Sequence, residues 1–165
     1  MSELFTKIGI IDLDEGHEES PKGQMGYYDK SVSYSYDGLC NRLTCDIDVN
    51  STASDTASFR TKALWDTGAS MSCISEKLAQ RMGIVPVDTG MAVSVIGKKT
   101  VSYYIVNAQL APGMVFRHLK VACLPMMDHD VDFIIGMDMI SKGDFNLINS
   151  DGKTTLTYFK ADEKE

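Results

Sequence analysis

The tripeptide Asp-Thr-Gly occurs twice in this chain, at Asp66–Gly68 within ALWDTGASMSCIS and at Asp88–Gly90 within VPVDTGMAV. Two carboxylates held close together cannot both ionise, and such a pair can hold a water and act on it as acid and base. The surroundings separate the two triplets. Asp66 follows the apolar run KALW and precedes the small residues TGAS and a second apolar step. That is the pattern of a carboxylate at the end of a buried strand, in a turn where Gly68 lets backbone N–H groups approach it. Asp88 follows Pro86-Val87 and precedes Gly90-Met91, between a helix signal and a strand signal. Asp and Gly there are ordinary turn residues, so Asp88 is expected in a turn.

Other reactive residues form weaker patterns. In DHDVD, Asp128, His129, Asp130 and Asp132 could suggest a metal, but a hard cation needs more oxygen ligands on a defined loop. A solvated turn before a buried strand is the expectation, and no metal site is assigned. His17 and His118 have no Ser or Cys partner at a recognised spacing and are read as surface residues. Of the four cysteines, Cys40, Cys45, Cys73 and Cys123, none forms a Cys-x-x-Cys pair or has a His at zinc spacing. Reduced thiols are expected, with Cys73 a small buried residue near the Asp66 loop.

The elements that must position Asp66 are mostly strands. SVSYSY alternates with period two, and RLTCDIDV places Leu43, Cys45, Ile47 and Val49 on one face. NSTASDTAS reads as a loop, and FRTKALW as a strand running into Asp66. ISEKLAQRMG carries helix signals: Ser75 as N-cap, Glu76 in the first turn, Leu78 and Met82 four apart, and Gly83 beyond the end. The chain then returns to strand in MAVSVI, TVSYYIVNAQL and MVFRHLKVACL, with turns at GKK and APG. VDFIIG is a short apolar run of the kind a fully buried strand shows. MDMISK can make one helical turn, and DFNLIN, Asp151-Gly152 and KTTLTYF spell a hairpin. Residues 1–35 are assigned to a partly mobile N-terminal extension, in which KIGIIDL can form a short strand. Residues 36–160 are assigned to the folded domain, and residues 161–165 to a charged tail.

The 165 residues suffice for one domain with a buried core. A net charge of −7 and a pI near 4.9 argue against nucleic-acid or anionic-membrane partners. No run of about 18 apolar residues is present to span a bilayer. The opening MSELFTKIGIIDLDEG has no basic segment followed by a long apolar one, so no signal peptide is expected, and the location is read as cytoplasmic.

At this point the motifs combine. ALWDTGASMSCIS resembles the active-site loop of retroviral-type (retropepsin-like) aspartic proteases, and VDFIIGMDMIS resembles their second signature. Both in order, across residues 40–160, resemble the cellular and retrotransposon-like branch. The resemblance implies a mainly β, single-lobe acid-protease barrel with one or two short helices. Asp88 stands too close to Asp66 for a second lobe between them. The resemblance therefore implies a homodimer in which each chain supplies one Asp66, and an endopeptidase acting on an extended polypeptide without a cofactor. It further implies that Thr67 locks the two loops across the dimer and that Gly68 gives the substrate backbone access. Ala69 stands where pepsin-like enzymes have Ser, a residue that can stabilise the carboxylate charge. Activity is therefore expected to extend from acid toward neutral pH. The resemblance also implies that Ile135, Gly136 and Asp138 flank the active site and that Ile96 and Gly97 stand at the tip of a flap hairpin, where the residues alone equally allow an ordinary surface hairpin. Three features depart from the family pattern: Trp65 in place of an aliphatic residue, Met137 in place of the viral Arg, and the C-terminal hairpin. Two alternatives stand beside this reading: the same fold binding peptide or dimerising without cleavage, and a metal-dependent hydrolase built on DHDVD.

Overall fold

The computed structural model describes residues 7–11, 30–52, 54–94, 97–125 and 130–161. In chain order the elements are β1 (Lys7–Ile11), β2 (Lys30–Tyr36), β3 (Thr44–Ser51), β4 (Ser54–Trp65), β5 (Cys73–Ser75) and α1 (Glu76–Met82). They continue with β6 (Asp88–Ser94), β7 (Gly97–Ala111), β8 (Met114–Leu124), β9 (Phe133–Ile135), α2 (Met137–Ile140), β10 (Gly143–Ser150) and β11 (Lys153–Lys160). They divide into two units, one of Met1–Asn41 with Ile140–Glu165, the other of Arg42–Met139.

In the larger unit, strand alternation builds a barrel. Cys45, Ile47 and Val49 of β3 point inward, as do Ala63 and Trp65 of β4, while the residues between them are more exposed. The sheet runs β3-β4-β9-β5-β8-β7-β6, and β3 also pairs with β7. Six strands therefore close into a ring, which pairs their edges within it; the outer part of β7 projects beyond the ring and pairs with β6. Phe133 and Ile135 of the short β9 are fully buried, between β4, to which β9 runs parallel, and β5. Ile74, Val106, Phe116 and Val121 fill the same interior.

In the smaller unit β1, β2, β11 and β10 form an antiparallel sheet in that order. Val32, Tyr34 and Tyr36 alternate into its core and meet Leu156 and Tyr158. Asp151 (φ 51°) and Gly152 (φ 72°) both take positive φ between Ser150 and Lys153, as a two-residue hairpin turn requires. KIGII forms the short strand β1.

Two expectations change. NSTASDTAS is largely strand: β3 runs to Ser51, β4 starts at Ser54, and the register shifts between Asn50 and Ser51. Ladder hydrogen bonds need only backbone groups, so small polar residues extend a hairpin once its stem has formed. The second Asp-Thr-Gly is the start of β6, with Asp88 opposite Tyr103, rather than a turn. Among the described residues no helix is long and apolar enough to cross a membrane.

Candidate active site

Asp66 follows directly on β4, and its N–H donates to Ile135 O (3.0 Å), which extends the β4–β9 pairing by one residue. The chain then turns tightly. Gly68 N–H donates to Asp66 Oδ1 (2.9 Å), and Ala69 N–H donates to Asp66 O (3.2 Å). A Cβ on Gly68 would stand 3.2 Å from the same oxygen, so glycine keeps the N–H-to-carboxylate approach unobstructed. Thr67 and Gly68 are exposed, while Asp66 and Ala69 are half-buried. The turn thus presents a carboxylate oriented by its own backbone.

A second layer of bonds holds this loop to the segment after β9. Met137 N–H donates to Ala69 O (2.8 Å). Ser72 is fully buried; its Oγ donates to Asp138 Oδ1 (2.7 Å) and accepts from Gly136 N–H (3.0 Å). Asp138 Oδ1 also accepts from the N–H groups of Ser72 (2.9 Å) and Met139 (3.0 Å). Asp138 thus makes the connection between helix and loop at the segment where Met137 departs from the viral pattern. Gly136 is required by space: a Cβ there would lie 2.5 Å from Met71 C and 2.8 Å from Ser72 N.

Trp65 is buried, and its backbone N–H donates to Leu43 O (2.9 Å), so the core takes up its bulk at the foot of the loop. Cys73 is buried too, and its Sγ lies 3.5 Å from Met71 O. Burial first, then the charges of Asp138 and Asp66, push its thiol up to about 11. Ile135 and Gly136 are buried, and Asp138 is half-buried.

The β6–β7 ribbon reaches Ser94 opposite Gly97, whose φ of 124° is one that glycine adopts freely. Ile96, expected beside it at the tip, lies outside the described residues. Ala92 and Tyr103 pack with Val101 on Cys73 and Ala122, so one face of the ribbon is seated on β5 and β8. Asp88 lies in the same ribbon, where its carboxylate accepts from Lys120 Nζ (2.7 Å) and Thr89 N–H (2.8 Å). These bonds, led by that from Lys120, hold its carboxyl below the ordinary value.

Two residues of the site region escaped the sequence reading. Ser72 carried no signal beyond a polar residue between Met71 and Cys73. Asp132, read as part of a solvated turn, is buried instead: Ser75 Oγ donates to Oδ1 (2.7 Å) and Thr61 Oγ1 to Oδ2 (3.2 Å). It thereby braces the N-cap of α1, where Ser75 Oγ accepts from Leu78 N–H (2.9 Å). Asp130 is exposed and pairs with Arg42 and Lys62, each at 3.3 Å. Asp128 and His129 lie outside the described residues, among which no group of three metal-ligating side chains converges.

Residues 55–142 match the family described as gag-polyprotein putative aspartyl protease. The fold resembles the crystal structure of a retropepsin-like aspartic protease from Rickettsia conorii, with a TM-score of 0.51 and 14% identity. That likeness covers 98% of this chain and 99% of the other. The solution structure of the simian foamy virus (mac) protease aligns with 59% of this chain and 92% of its own, at 16% identity and a TM-score of 0.40. No curated protein sequence matches the chain. The barrel, the two short helices and the Rickettsia likeness together show a retropepsin-like fold.

Proposed function

We propose that this chain, which belongs to the gag-polyprotein putative aspartyl protease family, is an endopeptidase that cleaves extended polypeptides as a homodimer. One observation carries the reading. Each chain presents one half-exposed carboxylate, Asp66, at the end of a core strand, with Gly68 N–H fixing one of its oxygens. The neighbouring acid, Asp138, is occupied by Ser72 and Met139. A water held between two Asp66 side chains then supplies the nucleophile.

Two carboxylates brought together on a two-fold axis share one proton and titrate as a pair, because like charges at that distance cannot both persist. The ionised member of the pair takes a proton from the water as its oxygen attacks the peptide carbonyl carbon. The protonated member gives its proton to the carbonyl oxygen. As the tetrahedral intermediate collapses, one of its hydroxyls gives its proton to the carboxylate now ionised, the carbonyl re-forms, the C–N bond breaks, and the amine leaves with the proton held by the other carboxylate, which restores the one-proton pair. Thr67 and Gly68, exposed beside Asp66, serve the partner loop and the substrate backbone.

Asp66→Asn is expected to lower cleavage of a peptide library by about 10³-fold or more while the circular dichroism spectrum is unchanged. Asp88→Asn is expected to cleave as the wild type does. An Asp66→Asn protein that retains wild-type cleavage would end this reading.

A further inference from the structure

β7 has two edges, and over its outer stretch the edge away from β6 is open. From Tyr103 onward β7 pairs with β8, beginning at Ala122, but residues 98–102 pair only with β6 among the described elements. Antiparallel pairing directs alternate N–H and C=O groups to opposite edges, so this stretch offers backbone donors and acceptors away from β6. The open edge faces a cleft of about 480 Å³, whose other wall is α1 and the chain just beyond it. Asp66 does not line it.

The lining has a direction. The middle is lined by half-buried Ile84 and by the buried Ala79 and Val101, and Lys99 stands toward the outer end of β7. Glu76 stands at the barrel end. It lines the cleft together with Tyr104 and Cys123. From Lys99 to Tyr104 the strand covers five steps, about 17 Å. A positive end, an apolar middle and a negative end, along an open strand edge, match one kind of ligand.

We propose that this cleft is a second polypeptide-binding site, which takes an extended segment paired antiparallel to residues 98–102 of β7. Its occupant carries a basic residue near its N-terminal end for Glu76, an apolar residue for Ala79 and Val101, and an acidic residue near its C-terminal end for Lys99. Backbone pairing supplies the affinity and the two charges set the direction.

The site needs neither cleavage nor a second Asp66, so full-length Asp66→Asn protein serves for the test, and the failure of one proposal leaves the other standing. A fluorescent pentapeptide of the order basic–x–apolar–x–acidic is titrated by anisotropy, beside a peptide with the two charges exchanged. Saturable binding is expected for the first peptide, with amide shifts at residues 98–104 and 76–84. Lys99→Glu is expected to weaken it about fivefold and to strengthen binding of the charge-exchanged peptide by a similar factor, so that the preference between the two peptides is lost. Equal binding of both peptides, shifts centred on residues 66–69, a change in self-association without peptide shifts, or no binding at millimolar peptide would each overturn the proposal.

Discussion

Ser72 joins two segments that lie far apart in the chain, and it does so without contact with solvent. Its hydroxyl is both donor to Asp138 and acceptor from Gly136, so removal leaves a buried N–H without its acceptor. Ser72→Ala is expected to destabilise the protein by about 1–3 kcal/mol, read as a lower urea midpoint at unchanged slope. Cys73 supplies a pH-dependent readout in the same region. Its thiol is raised to about 11, chiefly by burial, so the reactive thiolate is scarce at pH 8 and grows only as the pH approaches that value. Iodoacetamide with mass spectrometry is expected to leave Cys73 unlabelled at pH 8 in the native protein and to label it readily in denaturant. At this scale Asp66 was legible, because an apolar run ending in a small-residue turn is a local pattern. Asp132 was not. Whether an acid is solvated or buried depends on the hydroxyls brought to it, and those come from Ser75 and Thr61.

The elements divide in the same way. α1 begins and ends where its caps stand: Ser75 accepts from Leu78 N–H, and Gly83 takes left-handed φ of 61°. Both signals lie within one or two residues of the helix ends, so sequence was enough. The first three residues of β6 were misread because Asp-Thr-Gly reads as a turn unless a partner strand supplies the ladder, and β7 supplies it. β9 is short enough that its place depends on close approach of backbone at Gly136. Gly136→Ala puts a Cβ 2.5 Å from Met71 C, a backbone atom that a side-chain rotation cannot move aside. The expected cost is about 3 kcal/mol or more, and calorimetry should find a melting temperature lower by about 6–12 °C or more, or no cooperative transition.

For the whole molecule, the decisive property is that the proposed chemistry is shared between two copies. Mixing equal amounts of wild-type and Asp66→Asn protein, with time for subunit exchange, leaves about a quarter of the dimers with two carboxylates. Activity per total protein is then expected to fall to about a quarter of the wild-type value. A fall to only one half would mean that each chain works alone. On dilution, specific activity should decline as the dimer dissociates, and sedimentation across the same concentrations should follow it.

Sequence by itself determined what depends on neighbours in the chain: the period-two strands, the capped helix, the Asp151-Gly152 hairpin and the turn after Asp66. Local sterics and short-range hydrogen bonds set these, and both are written in consecutive residue types. Only the tertiary structure decided the ring closed by β3 with β7, the burial of Asp132, the strand at the second Asp-Thr-Gly and the Ser72–Asp138 connection. Each of these is a pairing between distant segments. Its free energy depends on a partner that offsets the cost of desolvating each polar group, and no residue carries the identity of its partner in its own type.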